Sequence, residues 1–138
     1  MTAPNGVTPY QKFLLATFVV LWVVLAIKPL YRQDWLLENI LVAVLVPTGL
    51  LIARYFRLSN LSYTLITVFL ILHITGAHYT YEKVPFGYTL SDWFGAERNH
   101  YDRIVHFSFG FLLAYPIREM FLRIASVRGL WGLSLIHI

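Results

Sequence analysis

Four long apolar runs, from about Phe13 to Leu30, Leu36 to Phe56, Leu61 to Thr80 and Tyr101 to Ile124, constrain this chain more than any other feature. Each has, or with its flanks approaches, the roughly 20 apolar residues that a helix needs to cross the hydrocarbon of a bilayer. In lipid every backbone N–H and C=O must find its partner within the protein, so runs of this kind fold as helices. A membrane barrel would show segments of about ten residues alternating in polarity, and these runs are continuous. The expectation is an all-α polytopic transmembrane helix bundle with four spans. With 58% hydrophobic and 13% charged residues over 138 positions, the chain lies outside the range of soluble domains.

The connections follow from local chemistry. Pro4, Asn5, Gly6 and Pro9 predict a loose lead-in over Met1 to Gln11, and the first run lacks a small-x-small cleavage site, so it reads as a retained helix. Lys28 to Asp34 is a short polar link ending at Trp35, and Leu58 to Leu61 a tight turn. Pro47 predicts a kink in the second span. The long connection, Tyr81 to Arg98, reads as a turn at Pro85 and Gly87, then a one-turn helix over Asp92 to Phe94, capped by Ser91 and stopped by Gly95. Its aromatic residues suit the membrane interface. Gly76, Ala77 and Thr80 share a face with His73, and Gly110 and Ala114 form a small-xxx-small pair, both reading as seams for close helix approach.

Several chemistries drop out. With no cysteine, disulfides, thiolate catalysis and thiolate metal sites are excluded. The net charge of +4 comes from scattered residues that read as juxtamembrane anchors, so nucleic acid is not an expected partner and membrane lipids are. There is no G-x-S-x-G, P-loop or H-E-x-x-H motif.

Asn99-His100-Tyr101-Asp102-Arg103-Ile104-Val105-His106 carries charged and imidazole groups straight into an apolar run. On a helix, Asn99, Asp102, Arg103, His106 and Gly110 fall within an arc of roughly 100°. Asp102 and His106 are spaced i,i+4, which lets a carboxylate orient an imidazole. The bland alternative is a first-turn carboxylate beside a histidine bonded to a neighbouring helix. Ionisable groups inside a membrane cost several kcal/mol unless they pair or face water, which makes them functional candidates by default. His73 lies near the end of the third run, and an antiparallel neighbour would bring it to the level of His106. The candidate cluster is therefore His73, Glu82, Arg98, Asn99, Asp102, Arg103 and His106. No cofactor is expected. A divalent metal, if one binds, would draw on His73, Asp102 and His106, with His78, His100 and Glu82 as further donors. His73 and His78, five apart, are not a metal pair on one helix. Glu82 and Lys83 read as loop staples reaching Arg98 or Arg103, Tyr79 and Tyr81 as interface anchors, and Glu119 as part of a surface ion pair with Arg118 and Arg123.

Counting Lys and Arg on either side gives a one-residue margin for a cytoplasmic N-terminus, which puts the long connection on the outer face.

The pattern His73-x-x-Gly76-x-His78-Tyr79-x-Tyr81-Glu82-x-Val84-Pro85-x-Gly87, followed by Arg98-Asn99-x-Tyr101-Asp102-Arg103-x-x-His106-Phe107, resembles the YjdF family of predicted bacterial inner-membrane proteins. The shorter Asp102-Arg103-x-x-His106-Phe107 is also similar to the Asp-Lys-x-x-His-Phe element of VanZ-like membrane proteins, with Arg103 where Lys is usual. The resemblance implies a multi-pass bacterial inner-membrane protein. It implies no reaction, because the YjdF-like family has no established activity. It also implies further helices with an Asp-rich segment that this chain lacks, so a site using those acids would be incomplete here. Residues 133–138, Leu-Ser-Leu-Ile-His-Ile, match one reading frame of a common sequencing adapter. The expectation is a single transmembrane domain over 1–132, truncated before its C-terminal helices, with a non-native tail in which His137 has no role. The leading functional expectation is binding or processing of a lipid-like or envelope substrate at the outer face. The rivals are a scaffold whose cluster locks helices together and a proton or ion path.

Overall fold

In the computed structural model, residues 7–55 and 57–124 are described. The proposed adapter tail lies outside them. They form α1 (Pro9–Ala26), α2 (Arg32–Tyr55), α3 (Asn60–Tyr79), α4 (Pro85–Trp93) and α5 (Tyr101–Ile124). α1, α2 through Ala53 and α3 are each long and apolar enough to cross a membrane. α5 has the length of α2 but carries Asp102, Arg103, Arg118, Glu119 and Arg123.

Several boundaries correct the sequence reading, among them the start of α2 at Arg32, inside the link expected over Lys28 to Asp34. α1 begins inside the expected lead-in, because Thr8 and Gln11 form a capping box and Pro9 occupies the first turn, where its missing N–H is not needed. The long connection holds a nine-residue helix rather than a turn and a single helical turn. Pro85 starts α4 where a turn was expected. Gly87 sits inside it because a Cβ there would overlap the Asn99 side chain. Ser91 does not cap a helix but is buried within α4, its Oγ donating to the Gly87 and Arg98 carbonyls. Gly95, at φ 62°, does end the segment.

α1, α2 and α5 each pack on α3, and α2 and α5 make no comparable contact with each other. The core around α3 contains Phe18, Val42, Phe69, Leu70, Ile74, Tyr101, Val105 and Leu113. Lipid is as apolar as these side chains, so burial alone drives helix association weakly, and close packing and interhelical hydrogen bonds carry more of the specificity. The polar links are explicit. Trp22 Nε1 donates to Asn39 Oδ1 at 2.5 Å between α1 and α2. His78 Nδ1 meets the Leu25 carbonyl in the last turn of α1 at 2.7 Å. Tyr101 Oη donates to the Leu72 carbonyl at 2.9 Å.

Glu119 does more than the expected surface pairing. Its carboxylate accepts from the Ser59 N–H at 2.8 and 3.0 Å, the Ser59 hydroxyl at 2.9 Å, and the Ser62 hydroxyl. Arg123, not Arg118, is the ion-pair partner, at 2.6 Å. An anion at the first turn of α3 meets the free N–H groups and the positive end of the helix dipole, and it ties the far end of α5 to α3. The Gly110 and Ala114 pair is not a helix seam here. Gly110 and Ala114 are exposed, with nothing within 4 Å of a Cβ built on Gly110. The group lying close on Gly76 is the ring of Tyr81.

Candidate functional site

α3 ends in a backbone feature that no helical pattern announces. Thr80 and Tyr81 both hold left-handed backbone, at φ 56° and 55°, and the Tyr81 N–H closes back on the Gly76 carbonyl at 2.8 Å. The chain turns so sharply that the Tyr81 ring lies over Gly76, where a Cβ would collide with it. Left-handed backbone costs about 1–2 kcal/mol per non-glycine residue, and such strain collects where the surroundings fix a side chain for a purpose.

The turn delivers the Tyr81 hydroxyl between two helices. It lies 2.7 Å from His73 Nδ1 on α3 and 3.2 Å from Glu38 Oε2 on α2. His73 Nε2 in turn meets the backbone carbonyl of Glu38 at 3.0 Å. His73 is buried, and burial followed by the Glu38 charge pushes the Tyr81 phenol up. Glu38, Tyr81 and His73 form one side of a pocket of about 390 Å³ whose other polar wall is Asp102 and His106 from the first turns of α5, with Leu41, Phe69, Val105 and Phe109 between. Asp102 Oδ1 and His106 Nε2 are 3.3 Å apart, as the i,i+4 spacing predicts, with side chains 52% and 80% exposed. Below the polar pocket an apolar groove of about 420 Å³ runs along α3 between α1, α2 and α5, lined by Phe18, Leu45, Ile66, Leu113 and others. Phe69 and Phe109 belong to both.

A family described as "Predicted membrane protein (DUF2238)" matches residues 10–138. The chain belongs to this family. The inner membrane protein YjdF of Escherichia coli strain K12 is 40% identical over 98 residues, which cover 71% of this chain and 47% of that protein, so the chain spans about half the length of the curated relative it matches. No solved structure matches. With its apolar helices, this DUF2238 chain is an integral membrane protein, similar to a relative named for the inner membrane.

Of the seven residues expected from the sequence, three line the pocket in this DUF2238 chain: His73, Asp102 and His106. Asn99 instead holds the loop together, its Oδ1 accepting from the Tyr101 N–H at the start of α5 and its Nδ2 donating to the Val84 carbonyl. Glu82, Arg98 and Arg103 are exposed and do not line the pocket. The Lys83 staple goes to the Tyr31 hydroxyl at 3.0 Å, with the ammonium 4.8 Å above that ring, rather than to Arg98 or Arg103. Among the described residues no three His, Asp or Glu side chains gather into a metal-holding group. Both nitrogens of His73 are already engaged by Tyr81 and Glu38.

Two pocket residues escaped the sequence reading. Glu38 carries a signal, being a carboxylate inside the apolar stretch Leu36-Leu37-Glu38-Asn39-Ile40-Leu41. Tyr81 stands in the pattern that resembles the YjdF family, but as a lone aromatic after a helix it reads as an interface anchor. Its role depends on a turn made by two non-glycine residues.

Proposed function

We propose that this protein binds a lipid-like or envelope substrate in the cleft between α2 and α5, with the polar head among Glu38, His73, Tyr81, Asp102 and His106 and the apolar tail along α3. The observation that carries the reading is the sharing of Phe69 and Phe109 between a polar pocket and an apolar groove of similar size. That juxtaposition fits an amphiphile and suits neither a small ion nor a wholly apolar ligand. Asp102 and His106 bond each other and, among the described residues, no neighbouring helix, which leaves them placed to act on the head.

In this reading α5 is a fourth span. Its Asp, Glu, Lys and Arg residues sit at its two ends, leaving Ile104 to Ile117 free of them, and 24 residues at about 1.5 Å each exceed the hydrocarbon thickness. The N-terminus is cytoplasmic, and the pocket, built where α3 ends and α2 and α5 begin, opens at the outer face. α4 lies in the interface there, with Phe86, Tyr88 and Trp93 exposed.

A second reading has support for three of the five polar residues. Glu38, Tyr81 and His73 join α2 to α3, as a scaffold would require.

Ligand-dependent stability separates the two. A ligand that binds only the folded protein raises its stability by about 2.7 kcal/mol at about 100 times Kd. Delipidated protein titrated with mixed phospholipid should gain stability, and the Asp102→Asn/His106→Gln double variant should unfold at the wild-type temperature without lipid yet lose most of that gain. An equal gain in both proteins, or a double variant already unstable without lipid, favours the scaffold.

A further inference from the structure

The hydrogen bonds around Tyr81 contain one proton more than the obvious donors supply. The Glu38 carbonyl can only accept, so His73 Nε2, 3.0 Å away, carries a hydrogen. Tyr81 has one hydroxyl proton, yet its oxygen faces two groups, His73 Nδ1 at 2.7 Å and Glu38 Oε2 at 3.2 Å. If Tyr81 donates to His73, the Glu38 contact needs a hydrogen on the carboxyl. If Tyr81 donates to Glu38, the His73 contact needs a hydrogen on Nδ1. An ionised Glu38 beside a neutral His73 would set two lone pairs against each other in one of the two contacts, and the acceptor left unmet is either the buried His73 Nδ1, at a cost of about 1–3 kcal/mol, or the half-buried Glu38 carboxylate, at a smaller one.

We propose that Glu38, Tyr81 and His73 act as one acid–base unit holding a single shared proton beyond the Tyr81 hydroxyl and the His73 Nε2–H, which Glu38 offers to a proton-accepting group of a ligand in the cleft. The two arrangements are tautomers. A concerted shift breaks the Glu38 O–H bond and forms a Tyr81 O–H bond, while the former Tyr81 proton passes to His73 Nδ1. Carboxylic acid and neutral imidazole become carboxylate and imidazolium with no change in net charge, and no outside proton is needed. Net neutrality suits a buried His73 with half-buried Glu38 and Tyr81 at membrane depth. The upward push on the Tyr81 phenol keeps that residue a conduit and not the acid. Because His73 Nε2 ends on a backbone carbonyl, the chain has no exit on that side, so it stores a proton and does not form a channel. The other titratable groups lining the pocket are Asp102 and His106 of α5, across the space a ligand would occupy. The proton count follows from the hydrogen bonds whether or not a lipid binds, so the two readings fail separately.

The test uses the 138-residue chain in lipid nanodiscs across about pH 6 to 8. The infrared carboxylic C=O band, assigned by its loss in Glu38→Gln, reports Glu38. The ¹⁵N resonances of His73, assigned by their loss in His73→Gln, report the ring. The expected result is one proton summed over the two groups, as a protonated Glu38 with a neutral His73, an ionised Glu38 with a doubly protonated His73 or a mixture of the two, with neither signal changing across the range because both tautomers hold the same number of protons. An ionised Glu38 together with a neutral His73, or both groups protonated, overturns the proposal. Tyr81→Phe should let the two groups titrate independently, and titrations identical to wild type would also overturn it. Should Tyr81→Phe fail to fold, the wild-type measurement decides alone.

Discussion

Left-handed backbone at Thr80 and Tyr81 is tolerated because the Tyr81 hydroxyl is fixed at its tip by His73 and Glu38 and its ring rests on Gly76. Gly76 is therefore the residue on which the turn depends. Gly76→Ala should destabilise the protein by about 1–3 kcal/mol, because the ring must move off its bonds, against a helix-propensity gain of about 1 kcal/mol. Gly110→Ala keeps the propensity gain and meets nothing within 4 Å, so it should be neutral to stabilising. Thermal unfolding of both variants in detergent checks the contrast, and equal behaviour would remove the packing role of Gly76. At this scale the sequence was only half legible. The Asp102 and His106 pair could be read because i,i+4 spacing on one helix fixes the geometry. The Tyr81 contacts reach back over Gly76 to α3 and across to α2, and no local pattern encodes them.

Among the elements, α3 is the one that the other long helices pack on, and its N-terminal turn is held by a side chain from α5. Glu119→Ala removes the acceptor for the Ser59 N–H, two hydroxyls and Arg123. With the Glu119 side chain only 12% exposed, the loss should be about 2–3 kcal/mol. Arg118→Ala, on an exposed side chain, should cost less than about 0.5 kcal/mol. Chemical or thermal unfolding of the two variants distinguishes a cap from a surface pair, and a cost for Arg118→Ala matching that for Glu119→Ala would contradict the cap. The long apolar runs could be read as helices because the bilayer leaves few alternatives, and α5 begins at Tyr101 and ends at Ile124 as its run does. α4 could not, since its Pro85 and Gly87 read as a turn until Asn99 supplies the reason for the glycine.

For the whole molecule, the orientation and the cleft stand or fall independently. The chain has no cysteine, so single cysteines report topology cleanly. In spheroplasts a membrane-impermeant maleimide should label Glu97→Cys, beyond α4, and leave Val7→Cys, ahead of α1, unlabelled until the membrane is opened. The reverse pattern would turn the protein over and put the pocket on the cytoplasmic face. The match to only 47% of its curated relative leaves the lipid reading to rest on the cleft itself. The most direct test is photo-crosslinking in nanodiscs with a phospholipid carrying a photoactivatable group at the end of an acyl chain. The account predicts adducts on the groove residues Leu45, Ile66 and Leu113, which line α2, α3 and α5 toward the interior. Adducts confined to outward-facing residues such as Val20 and Leu37, with none in the groove, would contradict it.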